Sequence, residues 1–142
     1  MDANKSSLTE FICQFAGVTV LPSREADLFD RLGIDGDDAF EFVEKFGGQF
    51  GVELADYRWY FHHGEEGWGL GSLFFRPPYK RVRPIPISIA LLEEAIARKR
   101  WPVAYPVHSL PKKRWDLLFN QIISASFVAL LLVGFVIKFV LH

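Results

Sequence analysis

The pattern of apolar and polar positions divides the chain into two unlike parts. From Leu117 the sequence reads LLFNQIISASFVALLLVGFVIKFVL, and Ile122 to Ile137 carries no charge. A helix needs about 20 mostly apolar residues to cross about 30 Å of hydrocarbon. The segment therefore predicts one transmembrane helix over residues 117–141. A buried core helix would be shorter and would keep a polar face, whereas this one is apolar all round. Asn120 and Gln121 fall at the near interface, Trp115 stands where an interfacial aromatic belongs, and Lys138 can snorkel at the far end. Ala125 and Ala129 form a small-residue spacing that favours helix pairing, although the pattern is common by chance.

Upstream the apolar positions recur at helical spacing on one face only. Leu8, Phe11, Ile12 and Phe15 predict a first helix over Ser7–Phe15, with Ser7 and Glu10 as a capping box and Gly17 as its stop. Glu25 to Leu32 reads as a short helix with Leu28, Phe29 and Leu32 inward. Asp35-Gly36-Asp37-Asp38 opens a stronger helix, capped by Asp37 or Asp38, with Phe42, Val43, Phe46 and Phe50 on its inner side. Gly47-Gly48 within it marks close packing or a kink. Ser88 caps a last soluble helix, with Ile89, Leu92, Ala95 and Ile96 apolar and Arg98-Lys99-Arg100 at its C-terminal end.

Asp56 to Pro84 is less regular. Tyr57, Trp59 and Phe61 alternate, glycines at 64, 67, 69 and 71 follow, and the segment predicts a loop or a small hairpin. Its aromatics, Trp59, Tyr60, Phe61, Trp68, Phe74 and Phe75, are expected in the core, with the membrane interface as the alternative. Pro102, Pro106 and Pro111 predict a stiff linker over residues 102–116. The expected architecture is mostly α: a soluble helical domain over residues 1–101, the linker, and one C-terminal transmembrane helix.

Composition adds bounds. The 142 residues suit one domain with an appendage. Roughly 110 residues outside the span can bury a core without disulfides or metal. Cys13 is the only cysteine, so no intramolecular disulfide can form. The opening MDANKSSLTEFICQF has no basic region followed by a long apolar stretch, so it does not read as a signal peptide.

Charge changes the picture more. Met1 to Phe75 holds 14 acidic and 5 basic residues, a net of −9, whereas Arg76 to Arg114 holds 10 basic and 2 acidic, a net of +8. The basic half adjoins the span, where anionic headgroups attract Lys and Arg by about 1 kcal/mol each. Lys112, Lys113 and Arg114 precede the span and only Lys138 and His142 lie at its end. The positive-inside rule then places the N-terminal domain in the cytosol, as a tail-anchored single-pass protein. The expected first partner is the lipid bilayer. Lys80-Arg81-Val82-Arg83 beside Tyr79 could touch nucleic acid, but its closeness to the span favours lipid, and no nucleic-acid partner is expected.

The stretch LGIDGDDAFEFVEKFGGQFGVEL, Leu32 to Leu54, resembles the central segment of acyl carrier proteins. That family shows a Leu-Gly, an Asp-Ser-Leu triplet opening a helix, and a Phe-Gly followed by an apolar-acidic-apolar end. The matching positions here are Leu32-Gly33, Asp35, Glu41, Phe50-Gly51 and Val52-Glu53-Leu54. The likeness covers residues 8–101, with a longer glycine- and aromatic-rich segment than a carrier has. Gly36 to Ala39 and the helix ending in Arg100-Trp101 more closely resemble an uncharacterised bacterial family of carrier-like proteins, domain of unknown function 1493. The resemblance implies a small acyl-carrier-like helical bundle with an inserted loop or hairpin, and a bacterial inner (cytoplasmic) membrane as its location.

In carriers the triplet serine holds a phosphopantetheine arm. Gly36 takes that position here and has no hydroxyl, so the resemblance implies a carrier without its arm. Ser23, Ser72 and Ser88 fit no attachment motif. What the resemblance leaves is the acidic helix that carriers present to basic partners, here Asp35, Asp37, Asp38, Glu41 and Glu44, set against the ordinary reading of a solvated helix face.

Other chemistry is weakly signalled. His62-His63 with Glu65 and Glu66 lacks a metal-ligand spacing. Asp35-Gly36-Asp37-Asp38 misplaces the glycine and distal glutamate of a calcium loop. There is no nucleophile elbow, phosphate loop or dinucleotide fingerprint. No metal, no cofactor and no enzymatic activity are expected. The function expected is a membrane-tethered interaction or regulatory module for a protein with a basic patch. The alternatives are a small subunit of an envelope or transport assembly held mainly by its span, and a carrier or catalytic role at an unconventional residue.

Overall fold

The computed structural model describes residues 2–65 and 69–140, with side chains from residue 4 onward. Among the described residues the protein is mostly helical and has no strand. The helices are α1 (Asp2–Ala16), α2 (Leu28–Leu32), α3 (Gly36–Phe50), α4 (Gly71–Phe74), α5 (Ile89–Arg98) and α6 (Trp115–Val140), with single 3-10 turns at Trp59–Phe61 and Pro78–Lys80.

The soluble helices close around phenylalanines. Leu8, Phe11 and Ile12 of α1, Leu28 and Phe29 of α2, Phe42, Val43 and Phe46 of α3, and Leu92, Ala95 and Ile96 of α5 are all buried in one cluster. Phe11 meets Phe42 at 5.1 Å and Phe50 edge-on at 5.7 Å, and Phe29 meets Phe42 edge-on at 5.3 Å. Such offset and edge contacts add to area burial because ring faces and edges carry opposite partial charge.

Helix ends follow local chemistry, with corrections to the sequence reading. α1 begins at Asp2, so Ser7 is internal and makes no capping box with Glu10. The α2 helix starts at Leu28 rather than Glu25, because the Asp27 carboxylate accepts from the amides of Phe29 and Asp30. The α3 helix starts one residue before Asp37, so Asp37 and Asp38 lie in its first turn instead of capping it. Ser88 caps α5 as expected, accepting from the Leu91 amide at 3.2 Å. Lys99 donates from Nζ to the Phe50 carbonyl at 2.8 Å and so covers the open end of α3. A single parallel bridge, Glu53 to Arg100, ties the exits of α3 and α5 together.

Among the described residues of the 57–83 segment, short helical turns at Trp59–Phe61, Gly71–Phe74 and Pro78–Lys80 stand where a hairpin was one expectation. Residues 102–108, expected as linker, stay on the domain: Val103 and Tyr105 pack against the core, and Tyr60 and His108 are hydrogen-bonded at 2.8 Å. The expected aromatic core is split. Phe61 is buried, Trp59 and Tyr60 are half-buried, Phe74 and Phe75 are exposed, and Trp68 lies outside the described residues. The α6 helix has 26 residues and spans about 39 Å at 1.5 Å per residue. No part of its apolar window is buried against the rest of the chain, and it is long and apolar enough to cross a membrane.

The glycine pair in α3 resolves into close packing at one position. A Cβ on Gly47 would lie 2.6 Å from Leu54 Cδ1 and 3.3 Å from the Val52 carbonyl oxygen, whereas one on exposed Gly48 meets nothing within 4 Å. Gly48→Ala should therefore gain up to about 1 kcal/mol from helix propensity. Gly47→Ala should fall below it by about 1–3 kcal/mol through overpacking. Thermal unfolding of the two variants side by side checks the ordering.

Candidate functional site

The α3 helix carries the candidate face. Asp37, Phe40, Glu41 and Glu44 are spaced to share one stripe, because residues three and four apart are neighbours on a helix. All four are exposed, as is Asp38 beside them. Asp37 and Asp38 sit in the first turn, where the macrodipole favours negative charge. Glu41 is partly neutralised by Lys45 at 2.6 Å. Phe40 stands amid these carboxylates and is braced from behind by His63, edge-on at 4.6 Å, and by Trp59 at 5.6 Å. A braced aromatic within a charged rim is the composition of a docking surface. Sequence reasoning found the acids and missed Phe40; its place three residues after Asp37 was the available signal.

Asp35 does not join this face. Its carboxylate accepts from the Gly64 amide at 2.7 Å, which pins the 57–65 segment to the start of α3. Gly36 follows with φ +53° and is buried. A left-handed backbone costs an ordinary L-residue roughly 1–2 kcal/mol, so the position disfavours serine by conformation.

No family model, curated protein or solved structure matches this chain.

Between the start of α3 and the start of α6 lies a cleft of about 210 Å³, lined by Asp37, Phe40, Glu65, Tyr79, Asp116 and Asn120 among others. Arg114 joins two residues of its lining. Its guanidinium holds both oxygens of Glu65, at 3.1 and 2.6 Å, and both oxygens of Asp116, at 2.9 and 2.6 Å. The hydrogen bonds to Asp116 and then Glu65 raise the Arg114 pKa above its ordinary value. Of the expected basic collar, Lys112 and Lys113 are exposed, while Arg114 is committed to this clamp. Gly71 packs so tightly on α6 that a Cβ there would overlap the Asp116 carbonyl, and its amide donates to Asn120 Oδ1 at 2.8 Å.

Behind Phe40 the two histidines are buried. His62 donates from Nδ1 to the Ile85 carbonyl and accepts at Nε2 from the Tyr105 hydroxyl, each at 2.8 Å; the tautomer is assigned from these partners. That hydroxyl also accepts from the Trp101 indole at 2.8 Å and from the Arg58 amide at 3.1 Å. Among the described residues, His63 Nε2 and the Tyr57 hydroxyl have no hydrogen-bond partner. Also among the described residues, no group of three or more His, Cys, Asp or Glu is placed to hold a metal.

Burial pushes His62 from its ordinary value of 6.5 down to about 4, and lowers His63 as well. Above the ordinary value both folded and unfolded chains hold His62 neutral, and stability is independent of its titration. As the pH falls below 6.5 only the unfolded chain takes up the proton, so folding is progressively disfavoured until about pH 4. The loss from His62 should be on the order of 3 kcal/mol. Chemical denaturation between neutral pH and pH 4 should show that decline, with a shallower slope in His62→Gln.

Proposed function

We propose that this chain is a membrane-tethered, carrier-like protein without a prosthetic arm, acting as an interaction or regulatory module for a protein with a basic patch. In this reading α6 anchors it in the inner membrane of a bacterium, with the helical domain on the cytosolic side. The observation that carries the reading is the exposed stripe of Asp37, Phe40, Glu41 and Glu44, held at a fixed station above α6. Asp35 and Gly64 fix the start of the stripe, and Arg114 joins Glu65 to the base of α6. Acidic residues steer and register a basic partner, while a desolvated aromatic supplies affinity. A station fixed relative to a bilayer suits holding a partner in place better than delivering cargo.

Loss of carrier chemistry follows from Gly36. Coexpression with a phosphopantetheinyl transferase should leave the intact mass unchanged, and a stoichiometric adduct would overturn the reading.

The partner interaction is tested by a photo-crosslinker at Phe40 in the full chain, in native membranes. Reversing Asp37, Asp38, Glu41 and Glu44 to lysine should remove the crosslinks, and replacing only residues 122–140 with an unrelated apolar sequence should keep them. The opposite result favours the second reading, an assembly subunit held through its span. The apolar surface of α6, unpartnered from Ile122 to Val140, is the observation behind that alternative.

A further inference from the structure

The turn preceding and containing α4 presents apolar side chains outward. Leu73 and Phe74 are 75% and 70% exposed, and Leu70 and Phe75 are 41% and 37% exposed. Contiguous apolar side chains on a surface mark a site of contact rather than ordinary solvation. Three features say what covers them.

The first is level. Gly71 sits on Asp116 and Asn120, and Phe74 and Phe75 meet Phe119 at 5.4 and 5.9 Å. These lie in the first turns of α6, up to the polar pair Asn120-Gln121, after which Ile122 to Ile137 carries neither charge nor amide side chain. An element held there lies at the boundary of headgroups and acyl chains, where interfacial segments bury their apolar side about 5–10 Å deep. The second is charge. Arg76, Lys80 and Arg81 follow directly and are exposed, and Lys113 lies over the exposed Trp115 ring at 5.7 Å. That is a cationic rim suited to anionic headgroups. The third is rigidity. Glycine at 71 permits a backbone-to-backbone approach that any side chain would prevent, so the exposed residues are held at this level rather than hung from a loose loop.

We infer that residues 70–75 form a second, shallow membrane contact, with Leu70, Leu73 and Phe74 seated in the leaflet that α6 enters. The inference rests on α6 spanning the bilayer. Together the two contacts make a two-point footing. A single helix leaves its domain free to swivel about the helix axis; a second inserted point beside it removes that rotation. The stripe on α3 then faces one direction relative to the bilayer.

The test uses the full chain reconstituted into vesicles of phosphatidylcholine with a minority of phosphatidylglycerol. An environment-sensitive fluorophore is placed singly in Leu73→Cys, Leu131→Cys and Val20→Cys, each with Cys13→Ser. The unsubstituted chain, labelled in parallel, gives the contribution of Cys13. Position 73 should be quenched by shallow spin-labelled lipid and severalfold less by iodide than position 20. Position 131 should be quenched by deep spin-labelled lipid. Adding Phe74→Asp should restore iodide quenching at position 73; protection that persists belongs to the probe and overturns the inference. If position 131 is lipid-quenched but position 73 matches position 20, the second contact is overturned and the anchor stands. If position 131 is not lipid-quenched, both fall. Protection at position 73 in native membranes but not in vesicles assigns the patch to a protein and overturns the lipid contact.

Discussion

The soluble helices and the apolar helix meet at a backbone-to-backbone contact between Gly71 and Asp116, and much else depends on it. The contact exists because residue 71 has no side chain; a methyl group there would occupy the Asp116 carbonyl. It is closed by the Gly71 amide on Asn120 and by Arg114, which bridges Glu65 and Asp116. Asp116 is thereby buried with its charge answered. A carboxylate in such a position would otherwise be costly, since a buried charge is tolerated only when paired and hydrogen-bonded. The clamp also joins Glu65 and Asp116, two residues that line the cleft between α3 and α6.

A second, drier constraint works from inside. The Tyr105 hydroxyl joins His62, the Trp101 indole and the Arg58 amide, and His62 in turn reaches Ile85. Three stretches of chain with little regular structure of their own, around residues 58–62, 85 and 101–105, are therefore held by one small polar network in an aromatic layer. Such a network is worth most when fully satisfied and in a low-dielectric setting. Its dependence on neutral histidine is the cost. The layer also supports the candidate docking face, because His63 and Trp59 stand directly behind Phe40.

These two constraints set the direction of the acidic stripe on α3. An acidic helix is useful to a partner only if its direction is defined. Here the start of α3 is fixed through Asp35 and Gly64, and the segment that includes Gly64 is fixed to α6 through Glu65. The chain of contacts from the acidic stripe to α6 is short, and each link is a hydrogen bond or a close glycine contact.

What the sequence determined by itself was local. The α6 helix was legible from an unbroken apolar run, and α1, α3 and α5 from apolar residues at helical spacing, because these depend on neighbours three or four positions away. The cap at Ser88 and the absence of a hydroxyl at Gly36 were legible for the same reason. The roles of Asp35, Phe40 and Arg114 were not, and the choice between core and surface for Phe74 stayed open. Asp35 reads as one more acid of a helix start until Gly64, 29 positions away, claims its carboxylate. Arg114 reads as a headgroup-facing cation until Glu65, 49 positions away, meets it. Phe74 reads as core with the membrane interface as the alternative, and its exposure beside Phe119 of α6 departs from the core reading. Each outcome required a long loop to close, and the side chain's fate was set by the group it met there, which no spacing along the chain encodes.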